Sequence, residues 1–390
     1  MAESTPFSPI LGNLQALIRA ARTHAQEKRA QKALETLNEA RTLALAQESQ
    51  TADIVEAYGA IETELALLLQ QLNDARSALQ HYMEAEAAFR KLPLEEPSQR
   101  VRLQLATTLV NMTGLLARER MLQLGLDKSS EAVMLLREVS GPAAESSRVL
   151  LLGALQNRAA LLIEARQHGD AERNLAEALE IGASAIAAGA VEIIPQMIET
   201  TGRVAQLRRM MNRTAEALPI AERAARWAQM AWEAGAPIGP RLFAATQFQL
   251  VDVNFGLERY AAAEDHLWKA VDTAKDLQSA VMATGFYFAL LRLDDASLEA
   301  GNLPREEVQS AAGEAMSRVK AANCPADLVE MLEARQALLV GEGAAEAARL
   351  LEQYGAPDAV ASANIKAMLP LLKSDVEWER AGRPSPKSVG

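Results

Sequence analysis

Between Leu155 and Gly182 the apolar positions fall on two helical faces. Leu155, Ala159 and Leu162 form the first, and Ala171, Leu175 and Ala178 form the second. The polar stretch "RQHGD" lies between them and contains Gly169, and its "HGD", His168 to Asp170, predicts a turn. Two helices joined this tightly must run antiparallel and pack. Small residues at the crossing let the backbones approach.

The same pattern recurs along the chain. With Ala171 as an anchor, equivalent positions are Ala33, Ala78, Gly125, Ala217, Ala263 and Val308, so successive anchors lie 45, 47, 46, 46, 46 and 45 residues apart. Seven residues after each anchor stands an alanine: Ala40, Ala85, Ala132, Ala178, Ala224, Ala270 and Ala315. Twelve residues before come Ala21, Ala66, Thr113, Ala159, Ala205, Val251 and Ala296, most of them small. Breaks at Pro93 and Pro97, Pro142, Pro237 and Pro240, and Pro325 keep the same rhythm. The period predicts one helix pair per roughly 46 residues, repeated seven times. A shorter, out-of-phase eighth pair is expected from about Ala326 to Tyr354. The array is expected over residues 1–355, a capping helix over 356–375 and a loose tail over 376–390.

The residues carry a resemblance. "NFGLERYAAAEDHLWKAV" (Asn254 to Val271) and "HGDAERNLAEAL" (His168 to Leu179) resemble the tetratricopeptide repeat. "LQNRAALL" (Leu155 to Leu162) is similar to the repeats of kinesin light chains. The resemblance covers roughly residues 8 to 355. It implies an all-α fold, a right-handed superhelix of antiparallel helix pairs, about seven to eight in number. The chain departs from the family in its period, about 46 residues where 34 is usual.

Composition agrees. Hydrophobic residues make up 49% of the 390 and aromatics only 4%, which favours closely packed helices over sheets. The net charge of −11 argues against a general nucleic-acid binder. The single cysteine, Cys324, leaves no disulfide within the chain and fits a reducing compartment. The start "MAESTPFSPILGNLQAL" lacks the features of a signal peptide, and no stretch is apolar enough to insert in a bilayer. A cytoplasmic location is expected.

Catalytic constellations are not evident. His24, His81, His168 and His266 fall in different repeats without a second ligand at metal spacing. Cys324 has no accompanying base. "GEGAAEAARLL" (Gly341 to Leu351) lacks the strand and lysine of a phosphate loop. Asp294 and Asp295 in "RLDDASLE" are adjacent and diverge on a helix. The expectation is a non-enzyme without metal or cofactor.

What remains is the groove, which the resemblance places on the first helix of each pair. Its sixth position falls fourteen residues before each anchor: Arg19, Glu64, Asn111, Asn157, Arg203, Gln249 and Asp294, all polar. The amides of Asn111, Asn157 and Gln249 can donate and accept at once, as an extended backbone requires. Arg203, Gln206 and Arg209, joined by Arg118, form a donor cluster. The preceding position reads Ile18, Thr63, Val110, Gln156, Gly202, Phe248 and Leu293, so the lysine-dependent carboxylate clamp of the family does not carry over. Two functions are in view. One is a protein-interaction scaffold or adaptor, binding an extended segment of another protein or peptide that is acidic near repeats four and five. The other is a regulatory sensor that changes superhelix shape on binding a peptide or small ligand. An array that begins by about residue 8 leaves no room for a preceding DNA-binding helix-turn-helix, which favours the first.

Overall fold

The computed structural model describes residues 9–93, 99–140, 143–355 and 362–381; among them are eighteen α-helices and no strand. Pro97 and Pro142 lie outside the described residues. The chain divides into two compact units, Met1–Ile193 and Ile194–Gly390.

The first unit holds four antiparallel pairs. These are α1 (Pro9–Gln26) with α2 (Ala30–Leu45), α3 (Ala52–Gln71) with α4 (Ala75–Phe89), α5 (Arg100–Arg118) with α6 (Leu122–Arg137), and α7 (Ala143–Glu164) with α8 (His168–Ala187). The second unit opens with α9 (Ile194–Met210) and α10 (Leu218–Glu233), then α11 (Gly239–Gly256) and α12 (Tyr260–Ala274). Next come α13 (Leu277–Leu291), the short α14 (Asp295–Ala300) and α15 (Arg305–Ala321), of which α13 and α15 pack as the pair. α16 (Ala326–Leu339) and α17 (Ala344–Gly355) form the last pair, and α18 (Ala363–Arg380) packs on both.

One turn is used again and again. Lys28, Asn73, Arg120, Arg166, Asn212 and Glu258 each stand two residues past a first helix with φ between 57° and 62°. The residue after each donates its N–H to the carbonyl five positions back. Examples are Arg29 to His24 at 2.8 Å, Gln167 to Leu162 at 2.8 Å and Arg259 to Asn254 at 2.9 Å. This left-handed cap satisfies the last carbonyls of the helix and reverses the chain at once. It also shifts the expected turn. His168, Gly169 and Asp170 are the first residues of α8, and the reversal is at Arg166. Gly169 is not in a left-handed conformation, and a side chain there would meet nothing.

Small residues sit where the pairs close. Ala40, Ala85, Ala132, Ala178, Ala224, Ala270 and Ala315 are all fully buried. Gly125 takes the anchor place in α6 because a Cβ there would fall 2.9 Å from Leu161 Cδ1 on α7. Twelve residues before the anchors, Ala21, Ala66, Thr113, Ala159 and Val251 are buried. Ala296 is exposed, and the reason is local. α13 ends at Leu291, only 35 residues after the end of α11 at Gly256. Asp294 then caps α14 by accepting from the Ser297 N–H at 2.7 Å. Asp294 is therefore an N-cap in an inserted helix and not the seventh member of the polar ladder.

The C-terminal helix runs to Arg380, with Val376 and Trp378 buried, so residues 376–380 belong to α18 and not to a tail. Its Asp375 is fully buried and accepts from Arg335 Nε of α16 at 2.6 Å. Residues 356–361 and 382–390 lie outside the described residues.

Candidate functional site

In the first unit the ladder residues Asn111 and Asn157 are half-buried on α5 and α7. Asn157 does not present a free amide: its Nδ2 donates to the Val110 carbonyl of α5 at 3.3 Å. Glu64 of α3 accepts from Arg22 of α1 at 2.6 Å, again from one first helix to the next. Arg118 is exposed in the last turn of α5. The sequence reading missed a further tie between first helices, the buried hydroxyls of Thr63 and Thr108, 2.9 Å apart.

In the second unit Gln249 of α11 repeats the role of Asn157. Its Nε2 donates to the Ile198 carbonyl of α9 at 3.0 Å, and its Oε1 accepts from Thr201 Oγ1 at 3.2 Å. Gly202 makes this possible, since a Cβ at that place would lie 2.9 Å from Gln249 Nε2. Arg203 is paired within its own helix with Glu199, at 2.7 Å. Asn157, Gln249 and Arg203 thus spend on the fold hydrogen bonds that the sequence pattern assigns to a ligand.

Gln206, Arg209 and Gln249 do come together. They line a cavity of about 320 Å³ between α9 and α11, with Gly202, Thr214 and Asp252. Gln206 and Arg209 are exposed. Arg209 has no hydrogen bond or ion pair among the described residues. Asp252, also on the lining, is exposed to solvent, with protein packed about its carboxyl. That crowding holds its carboxyl above the ordinary aspartate range, opposed by the positive charge of Arg209.

On the other side of α11 a second cavity, of about 300 Å³, lies between α11 and α13. Phe248, Phe255, Met282 and Phe286 line it, and Asp252 borders this one too. The signal in the sequence was Phe248 at the fifth ladder position and the "GFYF" of α13.

Two histidines take equivalent places. His81 Nδ1 meets Glu62 Oε2 at 2.5 Å, and His266 Nδ1 meets Gln247 Oε1 at 2.8 Å, each joining the two helices of its pair. Among the described residues no group of three or more His, Cys, Asp or Glu side chains is placed to hold a metal. Burial pushes the Cys324 thiol above its ordinary value, helped by the nearby Asp327. No helix among the described residues is long and apolar enough to cross a membrane.

These helix pairs, with their small-residue crossings and repeated caps, define a tetratricopeptide-like helical-repeat protein. The crystal structure of BtubC (BKLC) from P. vanneervenii is similar at 20% identity and a TM-score of 0.50, over 67% of this chain and 91% of that one. A tetratricopeptide repeat protein from Parabacteroides merdae is similar at 14% identity and a TM-score of 0.48, over 83% and 99% of the two chains. The apo form of RapI is similar at 12% identity and 0.49, over 79% and 99%. Residues 244–320, from α11 to α15, match a family of unknown function (DUF6483). No curated protein matches the sequence.

Proposed function

We propose that this protein is an interaction scaffold or adaptor, and that it holds an extended segment of a partner protein or peptide against its first helices. The observation that supports this reading is the α9–α11 cavity. Gln206 and Arg209 bring to its lining donors that no part of the fold uses, whereas Gln249 beside them and Arg203 on the same helix are engaged within the fold. Arg209 favours a carboxylate on the segment, and a charge-assisted hydrogen bond there contributes roughly 1.5–3 kcal/mol.

Photocrosslinking tests the placement. Benzoylphenylalanine at Gln206 should crosslink the partner, while the same group at the exposed Arg226 on the second helix α10 should not. Crosslinking from Arg226 alone would move the site to the opposite face.

A further inference from the structure

The cavity between α11 and α13 differs in character from its neighbour. Its walls are apolar, built from Phe248 and Phe255 on one side and Met282 and Phe286 on the other. The only charged group on it is the Asp252 carboxylate. No protein cation forms an ion pair with that carboxylate among the described residues, and the positive charge of Arg209 reaches it only at longer range.

Gly285 adds an independent observation. It stands inside α13, where glycine is disfavoured relative to alanine. No close approach requires it, because a Cβ there would meet nothing within 4 Å. The open space is the cavity itself, so the missing side chain keeps the cavity clear.

We propose that this cavity receives a lysine or arginine side chain of the bound segment, with its apolar stem along Phe248, Phe286 and Met282 and its charge on Asp252. The proposal rests on the groove reading above and names one of the groups that groove selects. Long basic side chains bury their stems and keep their heads on a polar group. Aromatic faces attract the same cation. The chain's net charge of −11 draws such a segment in. First helices stack about 10 Å apart, roughly three extended residues. The segment therefore carries an acidic residue for Arg209 and a basic one about three positions away.

The test uses the full chain and fluorescein-labelled peptides in a glycine–serine frame. One peptide carries glutamate and lysine three positions apart. The other has norleucine in place of lysine. Hexylamine and hexanol serve as small probes, read by the shift in melting temperature. The lysine peptide should bind about tenfold more tightly than the norleucine peptide. Asp252→Asn should abolish that advantage, and so should Gly285→Leu, whose Cβ meets nothing within 4 Å and whose side chain occupies the cavity. Equal binding of the two peptides overturns the cation site and leaves the groove reading standing. Binding of hexylamine but not hexanol, lost in Asp252→Asn, with neither peptide bound, supports the cation site and overturns the segment. Failure of both peptides and of hexylamine overturns the proposal.

Discussion

The side-chain amide of Gln249 donates to the main-chain carbonyl of Ile198 across 3.0 Å, and so ties α11 to α9. The bond lies over Gly202, whose lack of a side chain admits the amide. Four residues beyond Gly202 on α9, Gln206 carries the same functional group but lines the open cavity. Chemically identical groups on neighbouring first helices thus do different work. Gln249→Leu should cost about 0.5–1.5 kcal/mol, since it removes the bond to the Ile198 carbonyl, while the Thr201 hydroxyl keeps its own bond to that carbonyl at 2.7 Å. Gln206→Ala should change stability by less than about 0.5 kcal/mol. Denaturant melts of the two variants check the contrast. An equal loss in both would mean that Gln206 is also structural.

The pair crossings are equally testable. Ala178 and Ala270 are fully buried. Ala178→Leu or Ala270→Leu should overpack its crossing and cost roughly 1–3 kcal/mol. Unchanged midpoints would show room that the packing does not.

The left-handed caps predict a gain. Arg166 is exposed with φ 58°, a conformation that costs a side-chain-bearing residue roughly 1–2 kcal/mol. Arg166→Gly should relieve part of this and stabilise the protein by about 0.5–1 kcal/mol, the greater freedom of glycine in the unfolded chain offsetting the rest. Asn73→Gly should do little, because asparagine tolerates this conformation. Thermal midpoints of the two variants decide it.

These caps show where the sequence was legible and where it was not. The spacing of small residues exposes the pairs, because burial at a crossing restricts residue type at every repeat. The turn is hidden, because four of its six left-handed residues are Lys, Arg or Glu and not glycine. The insertion of α14 is hidden too, since α13 starts early and the second helix keeps its period. Within the candidate site, residue type identified polar positions on the first helices. It did not separate those aimed at a neighbouring helix, such as Asn157 and Gln249, from those aimed at solvent, such as Gln206 and Arg209. Arg203 depended on Glu199 one turn earlier, a partner on its own helix.

Acid should weaken the first unit through Glu62. Burial alone would raise the pKa of this carboxyl, but hydrogen bonds from His81 and Arg41 outweigh it and hold the value below the ordinary glutamate range. A carboxyl with a lowered folded pKa stabilises the fold above its unfolded pKa, about 4.3, and loses that contribution as pH falls through the folded value. The melting temperature should therefore fall below about pH 4. Glu62→Gln should be less stable at neutral pH and show a shallower acid slope. Identical slopes in the two proteins would remove Glu62 as a cause.

The central claim is that a partner segment is held on the first helices at Gln206 and Arg209. The most direct measurement is pull-down from native lysate with the wild-type chain and with Gln206→Ala combined with Arg209→Glu, alongside melting curves of both. The account predicts that the double variant loses the partner while its melting curve stays within about 0.5 kcal/mol of wild type, because both side chains are exposed and unpaired within the fold. Capture that survives in the folded double variant would contradict it and place the interaction on another surface.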